Sequence, residues 1–574
     1  MDPVTAISLA ATVASTFREV YVVARFIYRT IDHVKKSESE QEDLQVEFMS
    51  EILYLDSFGR LYLTSGGIMG DAELDKRWLK QIQAILQRLQ EKSAAFAKIA
   101  KYEDPEYQNE SPYENSQIAT SRFMDFKAFD DKPLSPTKKG KSIYNLKSWR
   151  WALLDRQKYE DILASYQKWM GKLKDLLPLS IAFSLKNKHQ RPLALEALAR
   201  NENAKNLGLE SHANLWQLML DPAFQQTNLK LEPSSLEAPS QLPEGSVLGL
   251  ARLHAKDTQS KTKVLVEYKA KDPNALIRKE SAGDPIDQLA SLLSLSGKHD
   301  LRTLSFKGYV DQPEKRRYAF IFTFPDHVHR SAPTSLHSII SMSSVTAQLS
   351  LPDRFHMAQT ITKTLAAFHS AKWVHKSIRS QSIIIFSKLE DEKETMVKSP
   401  YLANFEYSRH EKGETVRAPI DDLEISLYCH PDRNPPKQDF SRIHDIYALG
   451  IVLLEIGLWC TALNIYNQYR ARMTDTAKVQ QLTSTQTKKL FIDAAQNRLS
   501  HHMGPAYTKA VLACLRDDLV EDIDEADFPM IFQDKVVDKL DIRAAESASG
   551  PQESTRDSNP MERQVPKRSS FWPF

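Results

Sequence analysis

The sequence predicts two joined units of different class: an all-α helical bundle over residues 1–222, then a unit of mixed strands and helices over 245–544. Three observations lead there. Apolar residues recur at helical spacing through the first unit. Short apolar and β-branched runs bounded by turn residues appear in the second. Between them, 223–244 is rich in Pro, Ser and Gln, a boundary composition. At 574 residues the chain is long for one core. Its 41% hydrophobic and 26% charged residues are typical of soluble globular chains. A net charge of +2 provides no overall field to attract nucleic acid.

The first helix begins at Asp2-Pro3, with proline early in the first turn. Residues 3–17 (PVTAISLAATVASTF) carry no charge. Fifteen helical residues span roughly 22 Å, short of the roughly 30 Å hydrocarbon core. Continuing through Arg18-Glu19 to Ala24 would reach roughly 33 Å. Two readings stay open: a buried first helix of a bundle, or a helix buried at rest that enters a membrane when released. Further on, Leu74, Trp78, Ile82, Ile85 and Leu89 share one helix face. Ile162, Tyr166, Trp169, Leu173 and Leu176 share another, with Lys168, Lys172 and Lys174 outside it and Pro178 expected to end the helix. The polar stretch 103–142 reads as a long mobile loop, with Ser135-Pro136 a candidate phosphorylation site.

Cys429, Cys460 and Cys514 form no close pair, so they read as buried thiols rather than zinc ligands or disulfides. The N-terminus has no basic n-region, and no long uncharged apolar run appears, so an intracellular, cytoplasmic protein is expected. The tail from 545 reads as disordered by composition. Its final Phe571-Trp572-Pro573-Phe574 cluster, behind Lys567-Arg568, reads as a docking or membrane-touching peptide.

Three blocks of the first unit, DPVTAISLAATVASTF, LQVEFMSEILYLDSFGRLYL and WALLDRQKYEDILASYQKWMGKLKDLL, resemble the fungal HeLo, or prion-inhibition and propagation, domain. The resemblance implies a helical membrane-targeting domain used in programmed cell death and heterokaryon incompatibility. Its membrane-active segment would correspond to Ile7, Leu9, Val13 and Phe17. Implied partners are other HeLo-domain proteins or a second copy, and membrane lipids on activation, with recruitment to the plasma membrane. No amyloid-type repeat accompanies it.

In the second unit, Trp373 to Arg409 reads WVHKSIRSQSIIIFSK, an acidic insert, then SPYLANFEYSR: strand, loop, strand. The order resembles the catalytic and magnesium loops of a protein kinase, which implies an α+β bilobal fold. His375-Lys376-Ser377 stands where His-Arg-Asp is expected, Ser382 where the metal-binding Asn is, and Asn404-Phe405-Glu406 where Asp-Phe-Gly is. Ser377 cannot act as the carboxylate base, and Asn404 is a neutral ligand in place of a charged one. Phe405 is expected to pack in the core, and His375 to be structural rather than catalytic.

Lys269, ending the strand VLVEYK, matches the kinase lysine or is a plain edge lysine. Asp287 in PIDQLASLLSL is its candidate partner. Gly245 and Gly249 stand where the glycine-rich loop would be, or in a plain turn. Tyr428 to Asp432 matches the end of an activation segment, and Asp445 to Ile456 the central large-lobe helix, with Asp445 expected to anchor the loop backbone. The resemblance therefore implies a pseudokinase: no cofactor required, ATP bound weakly if at all, magnesium not expected. Three functions remain open: a pseudokinase-regulated membrane effector, an atypical active kinase, or a non-toxic scaffold for HeLo proteins. Thr415 is a candidate phosphorylation site for release.

Overall fold

The computed structural model describes residues 3–34, 39–64, 76–103, 156–184, 191–220, 229–254, 261–271, 285–296, 301–326, 328–342, 349–390, 393–396, 399–411, 422–433, 436, 439–473, 481–519 and 528–542. Leu74, Ser135, Thr415 and the tail from 545, all singled out above, lie outside the described residues.

The first part contains only helices among its described residues: α1 (Pro3–Val34), α2 (Ser39–Tyr62), α3 (Lys76–Glu103), α4 (Arg156–Ser184), α5 (Arg191–Arg200), α6 (Glu202–Asn206) and α7 (Leu209–Leu220). Helix α1 runs well past the charge-free segment, 32 residues in all. Arg18 and Glu19 do not break it, because Glu19 accepts a hydrogen bond from Gln90 Nε2 of α3 at 2.6 Å. Its buried face, Val13, Phe17, Val20, Tyr21, Ala24 and Ile27, is centred downstream of the apolar start. This face packs along α3, whose Trp78, Ile82, Ile85 and Leu89 are buried as their spacing predicts. Phe17 lies on Tyr21 and Phe58 at ring-centroid distances of 5.7 and 5.5 Å.

Pro178 does not end α4 as expected but lies inside it, and the helix continues to Ser184. Proline removes one N–H and crowds the preceding turn. The lost N–H would have met the Lys174 carbonyl; side chains add bonds to the two carbonyls just before the proline. Trp78 Nε1 donates to the Leu176 carbonyl at 2.9 Å, and Ser180 Oγ to the Leu177 carbonyl at 2.6 Å. Leu177 and Ile181 are fully buried and hold the continuation in place.

The second part opens with a six-stranded sheet ordered β1-β5-β6-β4-β3-β2. The strands are β1 (Lys230–Leu231), β2 (Leu236–Glu237), β3 (Gly249–His254), β4 (Lys261–Ala270), β5 (Phe306–Gln312) and β6 (Arg317–Phe322). All pair antiparallel except β1 with β5. The stretch expected to separate the parts therefore supplies both edges of this sheet from 230 to 237. Helix α8 (Pro285–Ser296) packs on the sheet and also on α7, whose Leu215 is buried in the same apolar cluster.

The rest is mainly helical: α9 (Leu336–Ser341), α10 (Leu351–Ser370), α11 (Leu423–Ser426), α12 (Arg442–Leu458), α13 (Ala462–Ala471), α14 (Ser484–Ala494), α15 (Ser500–Leu515) and α16 (Phe528–Lys535). Short strands β7 (Thr334–Ser335), β8 (Trp373–Val374), β9 (Ile383–Ile385), β10 (Ser387–Glu390), β11 (Lys393–Met396), β12 (Tyr401–Leu402) and β13 (Arg409–His410) lie between β6 and α11. Every residue of α12 from His444 to Leu458 is buried, which makes it the axis of this part. A Cβ on Gly450 would lie 2.9 Å from Cys514 Cβ, so α12 and α15 approach closely there. Cys514 is buried, whereas Cys429 and Cys460 are only half-buried, contrary to expectation. Among the described residues no single helix is long and apolar enough to cross a membrane, and the α12–α13 pair that passes together is bent by 77°.

Because Phe17 is fully buried against two rings, Phe17→Ala should cost about 3–5 kcal/mol in the unfolding transition of the helical part. Urea denaturation followed by circular dichroism checks this.

Candidate functional site

Strand β4 alternates its side chains, so Glu267 and Lys269 lie on the same face. Beneath that face lie the loop after β8, from His375 to Ser382, and the segment Asn404-Phe405-Glu406 after β12. Helix α12 places Asp445, which is fully buried, under the first loop. Its Oδ2 accepts from the His375 backbone N–H at 2.7 Å and its Oδ1 from that of Lys376 at 2.8 Å. Its Oδ2 also meets His369 Nε2 at 3.2 Å. Lys376 has φ of 65°, in the left-handed region, and this carboxylate grip holds it there.

His375 is sealed in the core. Its ring lies 5.0 Å from that of Phe405, which stacks on Phe368 at 5.7 Å. Burial pushes its imidazole down to about 4, so it is neutral and aromatic in function. Ser382 Oγ donates to the Ser377 carbonyl at 2.6 Å, and Asn404 Nδ2 donates to Ser382 Oγ at 3.1 Å. Ser377, Ser382 and Asn404 are thus brought together, and they bond inward to each other. All three are buried.

Glu267 escaped the sequence reading. Its carboxyl is buried at 2% exposure and receives the backbone N–H groups of Asn404, at 2.9 Å, and of Phe405. Burial pushes this carboxyl up to about 8, against the pull of the two N–H donors. The signal was a lone acid inside an apolar strand, two residues before Lys269. Lys269 Nζ in turn donates to the Glu406 carbonyl, and burial pulls its ammonium down to about 8. Burial raises the Glu406 carboxyl, while Lys269 and Arg379 pull it the other way.

The partner expected for Lys269 is not made. Asp287 Oδ1 instead accepts from Tyr309 OH at 2.6 Å, because its helix turn faces β5. Gly245 and Gly249 do not form a phosphate cradle. Gly245 sits in a turn with φ of 72°, and Gly249 pairs with Val266 in the sheet, where its Cβ would lie 2.8 Å from Leu242. Arg317 Nη1 donates to the Ser240 carbonyl at 2.7 Å, and Tyr268 OH donates to that of Pro239, folding this stretch onto the strands.

Asp432 pairs with His430 at 3.4 Å. Glu455, also missed, accepts from Tyr428 OH at 2.8 Å, Ser380 Oγ at 3.2 Å and the Ala462 N–H at 2.8 Å. It ties the segment around Tyr428 to α12. Of the four apolar positions singled out in α1, Val13 and Phe17 are buried, Leu9 is half-buried, and the Ile7 side chain lies outside the described residues.

Lys269 donates to a backbone carbonyl, the buried Glu267 carboxyl occupies the strand face beside it, and Ser382 and Asn404 bond each other. Among the described residues no group of three or more His, Cys, Asp and Glu side chains gathers to hold a metal.

The raised Glu267 carboxyl has a defined pH consequence. A folded value above the ordinary one makes its contribution to stability greatest below about pH 4.5, and that contribution is lost as pH rises toward 8. Glu267→Gln should flatten the loss of melting temperature between pH 5 and 8, read by thermal melts across that range.

Residues 5–208 match the family model described as HeLo: Prion-inhibition and propagation. The match covers α1 to α6 and stops before the sheet-containing part. No curated protein matches the chain. The chain thus carries an N-terminal HeLo domain, followed by a part of mixed sheet and helices.

Proposed function

We propose that this protein is an effector of the fungal cell-death or incompatibility type, in which a non-catalytic kinase-like part restrains the HeLo domain. The HeLo match supports the general role. The observation that carries the restraint is the burial of the first helix: Val13 and Phe17, in the segment that would enter lipid, are 1% and 0% exposed. Releasing that helix means opening a packed core, which requires a second state biased by another part of the chain. Contacts across the two parts offer the means of biasing it. Lys363 Nζ of α10 bonds Asp175 of α4 at 2.6 Å, and Leu215 of α7 sits in the apolar cluster of the sheet.

The kinase-like reading draws support from the order of its pieces. A mostly antiparallel sheet with one packed helix precedes a helical part, and Asp445 grips the loop that resembles a catalytic loop. The non-catalytic reading draws support from Ser377, Ser382 and Asn404 bonding inward, with Glu267 closing the strand face above them. On activation the helical part would act at the plasma membrane, alone or with other HeLo domains.

Dye leakage from anionic liposomes tests the effector. Residues 1–222 should cause leakage, the full chain should suppress it, and Ala10→Asp in the fragment should abolish it. A folded fragment that causes no leakage would leave a scaffold as the better reading. Separately, the full chain incubated with labelled ATP and magnesium should transfer no phosphate to itself or to a generic substrate. Transfer that is lost on Lys269→Ala would overturn the non-catalytic reading.

A further inference from the structure

The six-stranded sheet is covered on both faces, and the two covers differ in kind. Helix α8 lies on one. The other face presents Val266, Val310, Ala319 and Ile321, all buried, and its cover is the connecting stretch itself: Leu231, Leu236, Ala238 and Leu242 pack there. Strands β1 and β2 stand at opposite ends of the sheet order, with only the short turn Pro233–Ser235 between them. In a flat sheet the five inter-strand steps would hold them about 24 Å apart, whereas the five residues from Leu231 to Leu236 span at most about 18 Å. The sheet therefore curls around the stretch, which crosses its face and pairs with both edges.

Two glycines seat it. A Cβ on Gly308 would lie 2.5 Å from the Leu229 carbonyl oxygen, and one on Gly249 would lie 2.8 Å from Leu242 and 3.3 Å from Pro239. At Gly308 the blocked atom is backbone, so no other residue lets the stretch lie as deep. Hydrogen bonds complete the seat. The Tyr309 N–H donates to the Leu229 carbonyl at 2.8 Å, Arg317 Nη1 to that of Ser240 at 2.7 Å, and Tyr268 OH to that of Pro239. The ion pairs of Glu237 with Arg252 and Lys261 are exposed and contribute little, so apolar burial and these backbone bonds hold the stretch.

The start of the same stretch belongs to the contact between the two parts. Leu229 packs in the apolar cluster that holds Leu215 of α7 with Leu289 and Leu293 of α8. Tyr309 joins the pieces: its N–H holds the Leu229 carbonyl, and its OH donates to Asp287 of α8 at 2.6 Å.

We propose that residues 229–242 act as a releasable strap. Seated across the sheet, the strap draws α7 onto α8. Unseated, it lets the helical part undock with no change in the bundle itself. The step from undocking to membrane action rests on the restraint proposed above. The coupling of strap to docking does not.

Hydrogen–deuterium exchange of the full chain, read by mass spectrometry, tests this coupling. Leu231→Ser with Leu242→Ser removes two apolar contacts on the strap side, and Gly249→Val fills the space under Leu242 and Pro239. Each should speed exchange over 229–242 by about tenfold or more, and exchange over 209–220 and 285–296 should rise with it. Slow exchange over β4 and β6 shows that the sheet stays folded. If Gly249→Val unfolds the sheet, the strap-side pair carries the test. Leu250→Ala, exposed on the opposite face of β3, should change neither region. A loosened strap with 209–220 and 285–296 unchanged overturns the proposal. So does a strap that no folded variant loosens, or a wild-type strap that exchanges as fast as a free peptide. Leakage by the 1–222 fragment can succeed or fail without changing these results.

Discussion

The sheet-containing part depends on buried carboxyls that hold backbone N–H groups. Asp445 grips the loop at His375 and Lys376, Glu267 grips Asn404 and Phe405, and Glu455 grips Ala462 while receiving Tyr428 and Ser380. Each is 2% exposed or less. A carboxyl taken out of water is costly unless its oxygens are filled; backbone N–H groups fill both oxygens of Asp445 and Glu267, and Glu455 gathers its three donors on Oε1. The backbone receives an equal return. Lys376 and Asn404 both adopt positive φ, a conformation their side chains disfavour, and each has its N–H fixed by one of these carboxyls. Loops that would otherwise be free to rearrange are fastened to one strand and one central helix.

The same fastening turns the polar side chains of this part inward. In this protein the charged groups are satisfied within the fold. Lys269 reaches a carbonyl, Glu267 reaches two amides, and Ser382 with Asn404 closes on Ser377.

Much of the helical part was legible because its signal is local. Trp78, Ile82, Ile85 and Leu89, and Ile162, Tyr166, Leu173 and Leu176, repeat at helical spacing, and all are buried. The end of α4 was misread at Pro178, since the continuation is held by burial of Leu177 and Ile181 and by a bond from Trp78, which is remote in sequence. In the second part the helices α8 and α12 were expected from the resemblance of 285–295 and 445–456 to kinase elements, and both stretches are helical. What the pattern could not show was pairing across distance. Asp287 bonds Tyr309 rather than Lys269, and Glu267 reaches residues more than a hundred positions away. The edge strands at 230–237 were hidden for a related reason: two-residue strands carry no periodicity, and only their partners in β5 and β3 define them.

Those edge strands also set a leash. Helix α7 ends at Leu220 and the sheet-bound stretch begins at Leu229, so a fully extended connection reaches only about 30 Å. A helical part that undocks can travel no farther unless β1 peels from β5 and β2 from β3. In the membrane-bound state proposed above, the second part would therefore stay within about 30 Å of the end of α7 as an obligatory cargo. Its bulk, rather than that of the helices, would decide how closely neighbouring copies could crowd.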